Sequence, residues 1–464
     1  MDSMSTTLQK KPNVIVIIAD QWSTKMADGS GDEGKLNTPG IDRLAEEGIR
    51  YEQSYSSYPL CCPARASLFT GLMPHNHGLI DNEEIIEHVT GEFPTTENFL
   101  AQTETMGEVF EKAGYDTGFF GKEHAAGYGW KGIEDFGSMT CSRGGYLAEG
   151  SVFDPIFTKD ALDFIKRDRD NPFYMTLSFI NPHDICKTLG GPVGGKNISD
   201  AIFFCRDDDE KYLRGQDRKP LPDNFTDRFI SGMIKHEDYM YKELEELDEN
   251  YWQQFISTYG LLIENTDWFI ELVLETLKAQ GLEEDTIVLF TADHGEMMGS
   301  HRLIAKTVFY EESVKTPMII RYPSAVNPGK VDDNNIVSTV DIMPTLLDMC
   351  GLDVPEGIDG SSFKNSMTDN AMTHEETFCE SYFARMFRFK QYKYVESHVY
   401  GEDYQILIDL EKDPNETKNV FNQPGYEQVS DYASTRMKEW LKQEGIGLEF
   451  NAKNLKSKSL ETAE

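Results

Sequence analysis

The chain has 464 residues, 39% of them hydrophobic and 11% aromatic, enough to bury a large core and to exclude general disorder. Its 80 acidic residues against 44 basic ones give a formal net charge of −36, which excludes nucleic acid and anionic membrane as partners of the surface at large. An anionic substrate has to be met by a local cluster of Lys, Arg, His or metal charge.

From the N-terminus, Met1–Lys11 is polar and lacks the apolar segment of a secretory signal. The expectation is a cytoplasmic chain, periplasmic or secreted only if a leader has been removed. Asn13–Ala19 has the pattern of a buried strand, ended by Asp20-Gln21. Thr38-Pro39 opens a helix that Gly48 closes. Helix Met106–Ala113 then precedes strand Thr117–Gly121, helix Lys159–Arg167 precedes strand Phe173–Ile180, and helix Tyr251–Ala279 precedes strand Thr286–Thr291. None of the apolar runs approaches the length of a membrane span. Strands alternating with helices predict an α/β fold, a large mostly parallel sheet sandwiched by helices. Ligands of such sheets sit beyond the carboxyl ends of the strands. Asp20, Lys122, Asn181–His183 and Asp293–His294 all fall at or just past predicted strand ends.

Residues 184–250 break the alternation, from the glycine-rich Leu189–Gly195 to the acidic run Lys242–Asn250, and are read as a substrate-side insertion in a catalytic domain spanning 1–374. Beyond it, short strand-like runs Thr377–Phe383, Tyr392–Glu396 and Gln405–Leu410 precede a helix at Glu427–Gln443. They predict a small C-terminal antiparallel sheet plus helix over 375–450, followed by a disordered tail at 451–464. Seven scattered cysteines without CxxC pairs indicate neither a disulfide scaffold nor a zinc site.

The most specific segment is Cys61-Cys62-Pro63-Ala64-Arg65-Ala66-Ser67-Leu68-Phe69-Thr70-Gly71. A cysteine ahead of a Pro-led helix lies where backbone amides and the helix dipole favour negative charge, and Arg65 follows one turn on. Read alone, this is equally a buried cysteine pair capping an ordinary helix. The segment resembles the signature of the type I sulfatases of the alkaline phosphatase superfamily: Cys, any residue, Pro, a small residue, Arg and a closing Thr-Gly. The resemblance runs through nearly the whole chain, to Tyr404–Asn419, and implies an alkaline-phosphatase-like fold and a sulfuric ester hydrolase.

In that family the first cysteine is oxidised by a maturation enzyme to formylglycine, whose hydrated aldehyde is the nucleophile. The spacing to Pro63 and Arg65 assigns this role to Cys61 rather than Cys62. The resemblance further implies a divalent cation held by Asp20, Gln21, Asp293 and His294, with residue 61 as a further ligand. Many sulfatases offer three carboxylates and an amide to calcium. Here two carboxylates, an amide and an imidazole are offered, so calcium is expected first and manganese is the alternative. Gly121-Lys122-Glu123-His124 resembles the family's lysine–histidine pair, with Lys122 on a sulfate oxygen and His124 taking a proton. By the same resemblance His183 meets the leaving oxygen, Lys306 is a second lysine on the sulfate, and Asn82 contacts the substrate.

The expected substrate is a sulfated small molecule, with a sulfated saccharide foremost. One rival is a phosphonate monoester or phosphodiester hydrolase of the same superfamily, whose members tend to carry hydroxyl side chains in place of Lys122 and His124. Another is an inactive protein that binds sulfated glycans. His75-Asn76-His77 is read as a structural turn, and His301 is left without a role.

Overall fold

The computed structural model describes residues 11–30, 35–83, 86–87, 103–141, 149–188, 219–233, 244, 247–369, 371–399 and 401–447. Most of the expected insertion and the expected tail lie outside these residues. Among the described residues twelve strands form two sheets: β1 Asn13–Asp20, β2 Ile49–Tyr55, β3 Asp116–Lys122, β4 Thr140–Cys141, β5 Phe173–Pro182, β6 Thr286–Ala292, β7 Met318–Arg321, β8 Lys330–Ser338, β9 Glu376–Glu380, β10 Ala384–Phe389, β11 Tyr392–Val399 and β12 Glu402–Asp409.

The large sheet has the order β4-β3-β5-β1-β6-β7-β2-β8. All its pairings are parallel except those of β7, which is antiparallel to both β6 and β2. β1 is central because it is apolar on both faces, as a strand covered on both sides has to be. Ile15, Ile17 and Ala19 pack beneath the long helix Glu249–Ala279 and the helix Gly150–Ile165. Val14, Val16 and Ile18 face the opposite core, which contains Ala66, Leu68 and Phe69 of the helix Cys61–Thr70. The Glu249–Ala279 helix starts on Asp248, whose side chain accepts from Tyr251 N.

The second sheet is an antiparallel meander, β12-β11-β10-β9, covered by the helix Glu427–Glu444. The expected α/β architecture with a small C-terminal sheet is therefore present, with local differences. The run read as one strand, Thr377–Phe383, is a hairpin arm: β9 ends at Glu380, and the chain turns through Ser381–Phe383 into β10. The helix read from Lys159 begins nine residues earlier and carries Pro155 inside it. Burial of Phe157, Ala161, Phe164 and Ile165 outweighs the hydrogen bond that the proline omits. Among the described residues no helix is long and apolar enough to cross a membrane.

Candidate active site

Asp20 is the last residue of β1, Lys122 of β3 and Pro182 of β5, while Asp293 follows β6 directly. Parallel pairing brings these ends to one edge: Asp20 lies opposite Pro182 in the register. β3 reaches that edge only because residue 121 is glycine; with φ +119°, a Cβ there would sit 1.8 Å from Ser178 O. The helix Cys61–Thr70 points its N-terminus at the same place. All ten of its residues are buried, and Gly71 closes it in the left-handed conformation. Asn82 meets that N-terminus, its Oδ1 accepting from Cys62 N (3.3 Å).

Arg65 organises the centre. Its Nε donates to Asp293 Oδ2 (2.8 Å), its Nη2 to Asp20 Oδ2 (3.0 Å), and its Nη1 to Lys122 O (2.9 Å) and Ser178 Oγ (2.8 Å). Lys122 Nζ lies 2.6 Å from the same Asp20 oxygen. Each aspartate thus spends Oδ2 on a cation and turns Oδ1 toward Cys61 and His294, Asp293 Oδ1 also accepting from His294 N (2.9 Å). Cys61 Sγ lies 3.9 Å from Asp20 Oδ1 and 3.2 Å from His294 Nε2. Ligand atoms of Asp20, Cys61, Asp293 and His294 all lie within 4.8 Å of one another, and the four residues are buried. His294 directs Nε2 inward because Nδ1 is held on Gly295 O (3.0 Å). Two carboxylates and an imidazole converging beside two fixed cations are a donor set that fits one divalent ion.

Burial opposes ionisation of Asp20, but Lys122, and after it Arg65, hold its carboxyl well below the usual carboxylate range. Against its own burial, Lys122 is held charged by Asp20. Burial, reinforced by Lys306, pushes the His183 imidazole well below its ordinary range, and burial also lowers His294. His183 Nδ1 is buried without a hydrogen-bond partner among the described residues.

Gln21 departs from the simplest expectation. It adopts a left-handed backbone (φ 67°), and its N–H donates to Asp293 Oδ1 (3.0 Å). Its side-chain oxygen accepts from Lys306 Nζ while its Nε2 donates to Glu296 Oε2, so its amide is engaged outside the four-donor cluster. His124 is buried on the loop after Lys122, in a left-handed conformation (φ 45°). Three residues that sequence reasoning left without roles take part: Ser178 under Arg65, Glu296 between Gln21 and the Ala305 amide (2.6 Å), and Cys186, 3.3 Å from Gln21 Nε2. Glu296 stands in the same Asp-His-Gly-Glu run as two of the donors, the one signal that could have marked it. His77 is structural, bonded to Ser67 Oγ (3.0 Å) and Leu79 N (3.1 Å). His301 stacks on Tyr310 and meets Asn224.

A mostly parallel sheet with a helix N-terminus, an arginine-bridged aspartate pair and an imidazole at its carboxyl edge is the arrangement that the resemblance to the alkaline phosphatase superfamily implies. Residues 12–352 match the sulfatase family model, and 299–443 match that of the N-sulphoglucosamine sulphohydrolase C-terminal region. The chain belongs to the sulfatase family, enzymes that hydrolyse sulfate esters. It is 27% identical to a Delta 4,5-hexuronate-2-O-sulfatase of Bacteroides thetaiotaomicron, over 91% of this chain and 87% of that one. The fold is shared with a 2-O GAG sulfatase (TM-score 0.77, 23% identity, 96% of both chains). It is also shared with the phosphonate monoester hydrolase of Agrobacterium radiobacter (TM-score 0.72, 19% identity, 94% and 96%).

Proposed function

We propose that this sulfatase cleaves a sulfate monoester of a saccharide, with Cys61 converted to formylglycine by a maturation enzyme. Its divalent cation, calcium first and manganese second, would be held by Asp20, Asp293, His294 and residue 61, with Gln21 joining once its amide oxygen leaves Lys306. The observation that carries this reading is the convergence of Asp20, Cys61, Asp293 and His294. Once formed and bound, formylglycine supplies a nucleophilic hydroxyl and the cation a polarising charge.

The chain's own groups do the rest. Arg65 fixes both aspartates, so the oxygens they turn toward Cys61 and His294 need no rearrangement during turnover. Lys122 and Lys306 spread the charge of the transferring group. His183 protonates the departing alcohol; the bound sulfate offsets Lys306, whose charge helps keep the imidazole neutral in the free protein. His124 accepts a proton from the hydroxyl carried at position 61, a task suited to an imidazole. Asn82 contacts the substrate's oxygens. Residues 1–374 form the catalytic unit, and specificity for the alcohol resides in the 184–250 insertion and the 375–450 unit.

The saccharide rests on the hexuronate-2-O-sulfatase and its like. Matured protein is to be assayed on sulfated saccharides, an aryl sulfate and a phosphonate monoester. Higher kcat/KM on a sulfated saccharide is expected. Preference for the phosphonate ester would overturn the reading.

A further inference from the structure

The loop that follows β3 is strained. His124 (φ 45°), Ala126 (φ 54°) and Gly127 (φ 92°) all occupy the left-handed region within four positions. For the two non-glycine residues this costs about 1–2 kcal/mol each and persists only where surrounding bonds over-determine it. Ala125, Ala126 and Tyr128 pack in the core, and directional bonds add to that restraint. Two buried carboxyls supply them. Glu123 accepts from Ala125 N (3.1 Å) with one oxygen and from Gly127 N (3.0 Å) and Gly129 N (2.9 Å) with the other. Glu83 accepts from Ala126 N (2.6 Å). Four amides of one short loop are thus gathered on two side chains that are each 1% exposed. Gly129 is pressed against this anchor: a Cβ there would lie 3.0 Å from Glu123 Cγ.

Such burial is expensive. Burial, reinforced by Glu83, pushes the Glu123 carboxyl up to about 7. Two acidic groups held together out of water are retained against that cost where their bonds are needed. Glu83 also follows Asn82, the residue that meets the N-terminus of the Cys61 helix. One carboxyl pair therefore joins the segment carrying Lys122 and His124 to the segment carrying Asn82.

We propose that Glu123 and Glu83 are positioning residues for His124: they hold the strained 122–129 loop in register with the Asn82 segment and the Cys61 helix. This rests on the reading that Lys122 and His124 face the sulfate ester. In Glu123→Gln the shape is kept, but an NH2 group replaces one accepting oxygen and confronts an amide N–H.

Hydrogen exchange of the 122–130 segment in the full-length protein reads the anchoring without reference to activity, and kcat and KM on 4-nitrophenyl sulfate read its consequence. Exchange in Glu123→Gln should quicken by about tenfold or more. Its kcat should fall on the order of 10²-fold, the cost of a misplaced catalytic group, while KM stays within about twofold. Glu123→Asp, which keeps a carboxylate, should recover part of kcat. Glu83→Gln, whose side-chain oxygen still accepts from Ala126, should cost less than Glu123→Gln. Faster exchange with unchanged kcat, or lost kcat with unchanged exchange, would overturn the inference. Wild-type turnover by His124→Ala would overturn the reading of the site, and the positioning role with it, even where the exchange result stood.

Discussion

Two buried clusters of charge in this chain are made of similar parts and do opposite things. Around Arg65, two aspartates give one oxygen each to fixed cations and turn the other toward Cys61 and His294, where that of Asp293 also accepts from two backbone amides. Around Lys393, on β11, the charges pair with one another. Lys393 Nζ meets Glu311 and Glu416 at 2.7 Å each and donates to Phe309 O (2.8 Å). Glu311 Oε2 accepts from Tyr55 OH (3.0 Å), Arg388 Nε donates to Tyr55 OH (2.7 Å), and Arg388 Nη2 donates to Gln53 Oε1 (2.7 Å). The first cluster converges on a shared point; the second closes on itself and ties the small sheet to the segment after Lys306. A buried charge cluster is a candidate site when its ligand atoms converge on one point, and a structural tie when its charges pair with one another.

That contrast can be broken most sharply at Cys61. Cys61→Ala should abolish turnover of any sulfate ester, while Cys62→Ala, whose side chain faces the apolar core, should keep most of it. Next comes the metal. Chelation should remove activity and a divalent ion restore it. Asp20→Ala should weaken metal binding by more than about 10²-fold, beyond the effect of an outer-shell loss, and Gln21→Ala by much less; metal titration measures both. Normal turnover by metal-free protein would mean that the converging donors have another purpose.

The closed cluster should respond in the other currency. Lys393→Met leaves the buried Glu416 and the partly buried Glu311 without this lysine and should cost about 3–5 kcal/mol in denaturant unfolding, with metal affinity unchanged. A change in metal affinity would erase the distinction between the clusters. The smallest effect concerns pH. Burial raises Asp184 to about 6 and Glu123 and Asp267 to about 7. The folded chain therefore binds more protons than the unfolded one between the ordinary carboxylate range and about 7, so these groups lose stability as pH rises through that window. Self-repulsion at −36 has the same sign. Tm should be higher near pH 6 than near pH 8, and a Tm that rose across this interval would refute the assignment.

The sheet and the site were unequally legible. β1, β5 and β6 are buried, mostly apolar runs ended by the polar residues of the site, so strand and function announce each other. β2 and β8 are interrupted by Arg50, Glu52 and Gln53 and by Asp332–Asn335, and β7 is four residues long, so no periodicity marks them. Asp20, Cys61, Asp293 and His294 stand in short recognisable motifs, and the structure brings them together. Ser178 lies inside a strand and Glu123 between two motif residues, and the importance of each depends on what lies across a strand or a loop, which spacing does not carry. Gln21 shows the remaining limit: its motif marks it, but only the fold reveals that Lys306 and Glu296 already hold its amide.

The central claim is that position 61 carries the nucleophile as a formylglycine. Trypsin releases Tyr51–Arg65 as one peptide, and its mass can be read from protein of known specific activity. The account predicts a mass lowered by exchange of a thiol for an aldehyde, localised to Cys61, in proportion to activity. A fully active preparation in which this peptide retains both thiols would contradict it.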